Sequence, residues 1–336
     1  MDTIKTSSTG RDPYWDIVKG LLIFLVLFGH SIQIVHLDFA SRECFSHPLF
    51  KAIYIFHMPL FALVSGYFSV GSISRRGARQ IFRAATHLLI PCLTMVAIDN
   101  AKMIYLFFKE ASALNFRFLE PFGSLWFLIC IFECCIFMCI LLYRTSWWWR
   151  SFWCVFPIAL AVFTPAIPWA RFFVFIYPFY LLGAYMYSKR WNVKNVWVFI
   201  LSSVAFVCVN AIFAPVHYVY SAPLNYESHD WVSWLVAAIR FVGGLAGCLC
   251  FLYLATLLCR LSWLKVIRDI GKYTLAIYVL QSIFFSYVWL NYFPTVHLNL
   301  LLSFVFAVLL LFLLYGCTLL INKSRVLKFF IFGETK

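Results

Sequence analysis

Ten separate runs of apolar residues, each long enough to cross a bilayer as a helix, are the feature that most restricts how these 336 residues can fold. They cover 16–36, 49–70, 83–108, 121–143, 149–168, 171–189, 195–215, 231–259, 272–292 and 298–322. A backbone in hydrocarbon must satisfy its own hydrogen bonds, so the expected fold class is an all-α membrane protein of about ten transmembrane helices in a single bundle. A hydrophobic content of 64%, only 12% charged residues and a mean hydropathy of +0.88 exclude a soluble globular domain. The runs 149–168 and 171–189 are interrupted by Pro157, Pro165, Pro168 and Pro178, and read either as two helices or as one re-entrant element. No repeat of 20–50 residues recurs, which leaves an N-terminal segment 1–15, a membrane domain 16–322 and a short basic tail 323–336. The first run is long, holds a histidine and lacks a small-x-small cleavage pattern, so it is expected to be retained rather than removed as a signal peptide.

The net charge of +14 is explained by where the basic residues fall. Lys5 and Arg11 precede the first run, and every second connection is basic: Arg75, Arg76, Arg79 and Arg83; Arg144 and Arg150; Lys189, Arg190 and Lys194; Arg260, Lys265, Arg268 and Lys272. The positive-inside rule places these connections and both termini in the cytoplasm, with the chain in the cell (inner or plasma) membrane as a multi-pass protein. The excess charge is therefore topological, and no nucleic-acid partner is expected. Trp147, Trp148, Trp149, Trp153, Trp231 and Trp234 sit where interfacial anchors belong. Most of the twelve cysteines fall inside the apolar runs, Cys130, Cys134, Cys135 and Cys139 among them. They read as small apolar filler, with no disulfide framework and no metal expected.

Against this apolar background the ionisable residues inside the runs are functional candidates. Lys19 and His30 are eleven residues apart, which at about 100° per residue returns His30 to within roughly 20° of Lys19, about 17 Å further along one helix face. His57, six residues from Lys51 in a run of opposite direction, is expected at the same level as His30, roughly 9 Å below the outer surface. Pro59 should kink that second run, and Ser65-Gly66 should admit a close neighbour. Asp99 and Lys102 are neighbours on the third helix, Glu133 lies mid-run in the fourth and Arg240 in the eighth; these four charges sum to zero and form either a structural ion-pair network or a functional one. His36, His47, His217, His229 and His297 lie in or near the outer connections.

The motifs Asp16-Ile-Val-Lys19-Gly20 through Gly29-His30-Ser31, Phe56-His57-Met58-Pro59-Leu60-Phe61 with Ser65-Gly66-Tyr67-Phe68, Gly123-Ser124-Leu125-Trp126-Phe127-Leu128, and Ile270-Gly271-Lys272-Tyr273-Thr274-Leu275-Ala276-Ile277-Tyr278 follow one another across nearly the whole chain. In this order they resemble the acyltransferase-3 family of integral membrane acyltransferases, especially its fucose 4-O-acetylase-like branch. The resemblance implies ten transmembrane helices, a coenzyme A thioester as donor, and acetylation of a carbohydrate hydroxyl at or across the membrane. Much of that family carries arginine, then ten residues, then the histidine. Lys19 takes that place here, which loses bidentate phosphate recognition. Many relatives have histidine where this chain has Gln281, so no catalytic role carries over to that position. Some relatives add an extracytoplasmic hydrolase-like domain; none follows the tenth run here, so direct transfer to the acceptor or a partner protein is expected.

Acyl transfer to a hydroxyl needs a base and a donor to the tetrahedral oxyanion. His30 is the expected general base or, alternatively, a transient acyl carrier, with His57 orienting it, binding the acceptor or donating to the oxyanion. Lys19, with Arg75, Arg76 or Arg79, is expected to bind the phosphates of acetyl-CoA, a co-substrate rather than a permanently bound cofactor, while the pantetheine arm runs outward along the first helix. Gly20 and Gly29 either leave room for that arm or permit close helix packing. Asp16, Asp99, Lys102, Trp126, Glu133 and Arg240 are candidates for a supporting polar network. The expected partners are acetyl-CoA, a carbohydrate or glycolipid acceptor and membrane lipid. The rival readings are a transporter or flippase of a lipid-linked glycan, and the same chemistry with a succinyl-type donor.

Overall fold

The computed structural model describes residues 12–37, 43–110, 124–163, 170–191, 194–218, 231–261, 264–293 and 296–334. Every apolar run carries helix, and no strand occurs among the described residues. Helix α1 (Pro13–His30) continues as a π-helical turn, Ser31–His36. The second run holds α2 (Pro48–Tyr54) and α3 (His57–Arg76). Then follow α4 (Arg79–Glu110), α5 (Trp126–Tyr143), α6 (Trp147–Phe163), α7 (Ala170–Lys189), α8 (Val196–Ile212) and α9 (Trp231–Leu258). The ninth run comprises α10 (Lys265–Ile270), a tight turn Gly271–Tyr273, α11 (Thr274–Ile283) and a π-helical turn Phe284–Trp289. The last two helices are α12 (Leu300–Ile321) and α13 (Arg325–Phe332).

Seven stretches among the described residues are long and apolar enough to cross a membrane: Pro13–His36, Pro48–Arg76, Arg79–Lys109, Trp126–Tyr143, Trp234–Leu258, Lys265–Tyr292 and Leu300–Ile321. The chain is an all-helical, multi-pass membrane protein. Within 149–189, left open between two helices and one re-entrant element, the described residues form two helices, with Pro157 inside α6 and Pro178 inside α7. Proline is tolerated there because neighbours can satisfy freed backbone groups; the Tyr177 hydroxyl of α7 donates to the Trp153 carbonyl of α6 at 2.9 Å. Pro165 and Pro168 lie outside the described residues.

The helices divide into two compact units. The first comprises 1–64, 190–278 and 295–316. In it α1 lies against α10 so closely that a Cβ on Gly20 would strike the Ile267 carbonyl, and one on Gly271 the Asp16 carbonyl. Two family-like motifs far apart in sequence thus fit through reciprocal glycines. Helices α8 and α9 pack side by side, with Phe199 stacked on Tyr253 at 4.4 Å. Lys51 of α2 donates to the Asn210 and Phe213 carbonyls at 3.2 Å, a cation on the C-terminal carbonyls of α8.

The second unit comprises 65–189, 279–294 and 317–336. Gly66 of α3 meets the backbone of Tyr180 in α7, the close approach that Ser65-Gly66 suggested. The tail, expected only to be short and basic, contains α13, which docks on α4. Ser324 caps its first turn, accepting from Leu327 N–H, and Gly333 ends it in the left-handed region at φ 64°. A Cβ at Gly333 would strike the Thr86 carbonyl, and Thr94 Oγ1 donates to the Phe330 carbonyl at 2.6 Å.

Candidate active site

The site is built on the first unit, where α1 and the α2–α3 junction bring both membrane histidines around one tyrosine. Proline at 59 cannot donate to the Ile55 carbonyl and crowds it, so helical bonding lapses at Ile55–Phe56, one turn before the proline. The chain bridges the gap with a tighter bond from Phe56 N–H to the Ile53 carbonyl at 3.3 Å. His57 therefore opens α3, and its Nδ1 lies 2.9 Å from the Ile53 carbonyl. Because a carbonyl only accepts, Nδ1 carries the proton there and Nε2 is the ring's acceptor.

His30 is the last α-helical residue before the π-helical turn. Its Nδ1 lies 3.3 Å from Gln33 Oε1, and the Tyr54 hydroxyl donates to the same oxygen at 3.4 Å. An amide oxygen that takes both bonds assigns the proton to His30 Nδ1, which makes Nε2 the ring's basic nitrogen. The Tyr54 ring stands edge-on to His30 at 6.3 Å and to His57 at 4.6 Å between centroids. The two histidines thus share a neighbourhood around Tyr54. His57 is 3% exposed, whereas His30 is half-buried.

Tyr54 is itself fixed. It stacks on Phe50 at 3.8 Å, and Tyr218 packs 5.8 Å from Phe50 and 6.5 Å from Tyr54. Arg240, 4% exposed, holds the strand of chain that carries Tyr218: its guanidinium donates to the carbonyls of Val216 at 2.9 Å and Tyr218 at 3.0 Å, and to that of His217. Several charge-assisted bonds offset the burial of a guanidinium. Backbone carbonyls are thus among the partners of Arg240. The His217 Nδ1 accepts from Ala214 N–H at 2.8 Å, and its pKa is lowered, first by burial and further by the Arg240 charge.

At the other end of α1, Lys19 pairs with Asp16 at 2.8 Å; the Asp16 side chain is 4% exposed and that of Lys19 17%. Continuous α-helix from Pro13 to His30 keeps Lys19 and His30 on one face, as the spacing implied. The Gly20 and Gly29 surfaces are filled by the Ile267 carbonyl and the Tyr54 ring, so close packing accounts for both glycines and leaves no channel for a pantetheine arm at these points.

The remaining candidates lie on the second unit. Arg75 and Arg79 are exposed and Arg76 is partly so, around the α3–α4 corner. Asp99 accepts from the Tyr287 hydroxyl at 3.2 Å, Trp126 packs on Phe172 at 4.4 Å, and Glu133 is half-buried in α5. The side chain of Lys102, and Gly123 of the third motif, lie outside the described residues. Gln281 is 3% exposed, and its Oε1 has no hydrogen-bond partner among them. Sequence reading missed Gln33, Tyr54 and Tyr218. The available signal was that Gln33 is the one amide side chain in the first run, three residues after His30, and that Tyr54 stands three before His57.

A family model described as an acyltransferase domain matches residues 12–322. The chain is 32% identical over 216 residues to "Nodulation protein NolL" of Mesorhizobium japonicum, covering 60% of this chain and 56% of that protein. It is 40% identical over 126 residues to "Nodulation protein NolL" of Sinorhizobium fredii, covering 36% of this chain and 34% of the relative. The matches thus span about half and a third of the length of these curated relatives. No solved structure matches. With the family model running from the start of α1 to the end of α12, across the lysine, both histidines and their supports, the chain belongs to the acyltransferase-3 family.

Proposed function

We propose that this protein is a membrane O-acyltransferase that moves an acetyl group from acetyl-CoA to a hydroxyl of a cell-surface or lipid-linked carbohydrate. The observation that carries the reading is the His30–Gln33–Tyr54–His57 constellation, in a family defined by acyl transfer. Gln33 and Tyr54 orient His30 with Nε2 as base; the acceptor hydroxyl gives its proton to Nε2, its oxygen attacks the thioester carbon, and the thiolate leaves and is reprotonated. His57 orients the acceptor through Nε2 when neutral, and would donate to the oxyanion from that atom only when protonated. Lys19, fixed by Asp16, attracts donor phosphate on the first unit. Arg75, Arg76 and Arg79 offer a second anion-attracting surface on the other.

The alternation of basic connections supports ten crossings of the cell membrane with both termini in the cytoplasm, and seven stretches among the described residues meet length and apolarity criteria on their own. The break at Ile55–Phe56 and the π-helical turns also favour a second reading, a glycan flippase, because interrupted helices line transport paths. Purified protein in proteoliposomes, given radiolabelled acetyl-CoA and a glycan extract, separates the two. Label on the glycan supports the enzyme; glycan movement without label supports the flippase and refutes the transfer.

A further inference from the structure

Next to the arginines of the α3–α4 corner, the second unit carries an apolar groove to which the acyl transfer described above gives no role. Three basic connections meet around a groove of about 830 Å3: the α3–α4 corner, the α5–α6 corner and the end of α7. Its floor is apolar, with Ile73, Ile81 and Ile140, and its rim carries Ser74, Arg150 and Ser188. The cations here are built in. The Arg144 guanidinium lies 5.2 Å from the Trp149 ring centre, Trp149 Nε1 donates to the Ile140 carbonyl at 2.7 Å, and Arg150 Nε donates to the Arg144 carbonyl at 3.4 Å. Arg144 and Arg150 are both exposed.

No acidic residue occurs in the sequence between 65 and 98 or between 134 and 226, so the segments forming this groove hold arginines and lysines without a carboxylate of their own. Beside it Trp147 and Trp148 stack at 3.6 Å while 62% and 70% exposed, as rings placed among lipid headgroups are. An apolar trough under uncompensated guanidinium groups, at headgroup level, matches one amphiphile: acyl chain below, phosphate above.

We propose that this groove is a binding site for an anionic phospholipid, its phosphate held by Arg150 and Arg144 and one acyl chain lying along Ile73, Ile81 and Ile140. The proposal stands apart from the acyltransferase reading, and its readout is lipid binding alone. Full-length protein purified in detergent is titrated with phosphatidylglycerol and, separately, phosphatidylcholine, and bound lipid is counted by native mass spectrometry. The expected result is saturable retention of one phosphatidylglycerol over phosphatidylcholine. It should weaken about tenfold or more in R144A/R150A and also in A78W, which fills the groove without changing charge. Equal retention of the two lipids, or wild-type retention in R144A/R150A, whose exposed positions leave folding intact, overturns the proposal. So does displacement of the lipid by coenzyme A, which would make the groove a donor site.

Discussion

His30 stands where α1 passes into a π-helical turn, and that position lets a side chain three residues later, Gln33, reach back to its ring. The shared oxygen of Gln33 couples His30 to Tyr54, so the orientation of the His30 ring depends on both neighbours. His30→Ala should lower kcat by about 10²–10⁴-fold with the protein still inserted, measured with acetyl-CoA in proteoliposomes. Gln33→Leu keeps size and removes the acceptor. It should reduce kcat by roughly fivefold with KM for acetyl-CoA unchanged, in line with one hydrogen bond of about 1 kcal/mol. Lys19→Ala should do the reverse, raising KM with little loss of kcat; an equal fall in both would place Lys19 at the reacting centre. The histidines and Lys19 were legible in the sequence because charge in an apolar run is conspicuous. Gln33 and Tyr54 were not, because an uncharged amide and a tyrosine are ordinary in a membrane helix until their geometry is known.

At the scale of elements, proline and glycine set the site. Pro59 ends α2 before His57, and Gly29 leaves space for the Tyr54 ring, which a Cβ would displace. Gly29→Ala should therefore depress activity more than stability, whereas Gly271→Ala, which sets a methyl against the Asp16 backbone, should cost about 1–3 kcal/mol of stability. Thermal melting alongside turnover distinguishes the two. The clasp at Pro215–Tyr218 adds a pH dependence. His217 is held neutral, with its pKa below the ordinary value, so its contribution is present above about pH 6.5 and is lost as pH falls through the lowered pKa. Hydrogen-exchange protection at 216–218, corrected for the intrinsic rate at each pH, should fall on acidification below the ordinary histidine pKa of about 6.5, and His217→Asn should remove most of that fall. Proline spacing foretold the kink in the second run. It did not foretell that α6 and α7 would each keep a proline inside; in α6 the Trp153 carbonyl that Pro157 leaves free takes its bond from Tyr177 of the neighbouring helix.

For the whole molecule, apolar runs and alternating charge determined the class of fold, while the division into two units and the docking of α13 on α4 were hidden in contacts between distant residues. Cysteine labelling from either face should find Arg76, Arg150 and Lys189 positions cytoplasmic and His47 and His217 positions external; labelling of both sets from one face would undo the orientation. The central claim is that His30 serves acyl transfer to a carbohydrate. Mass spectrometry of surface glycans from cells expressing wild-type protein, His30→Ala or neither tests it most directly. An acetyl-sized addition to one sugar, present with the wild type and absent with His30→Ala at equal membrane abundance, is the predicted result. The same addition with His30→Ala would contradict it.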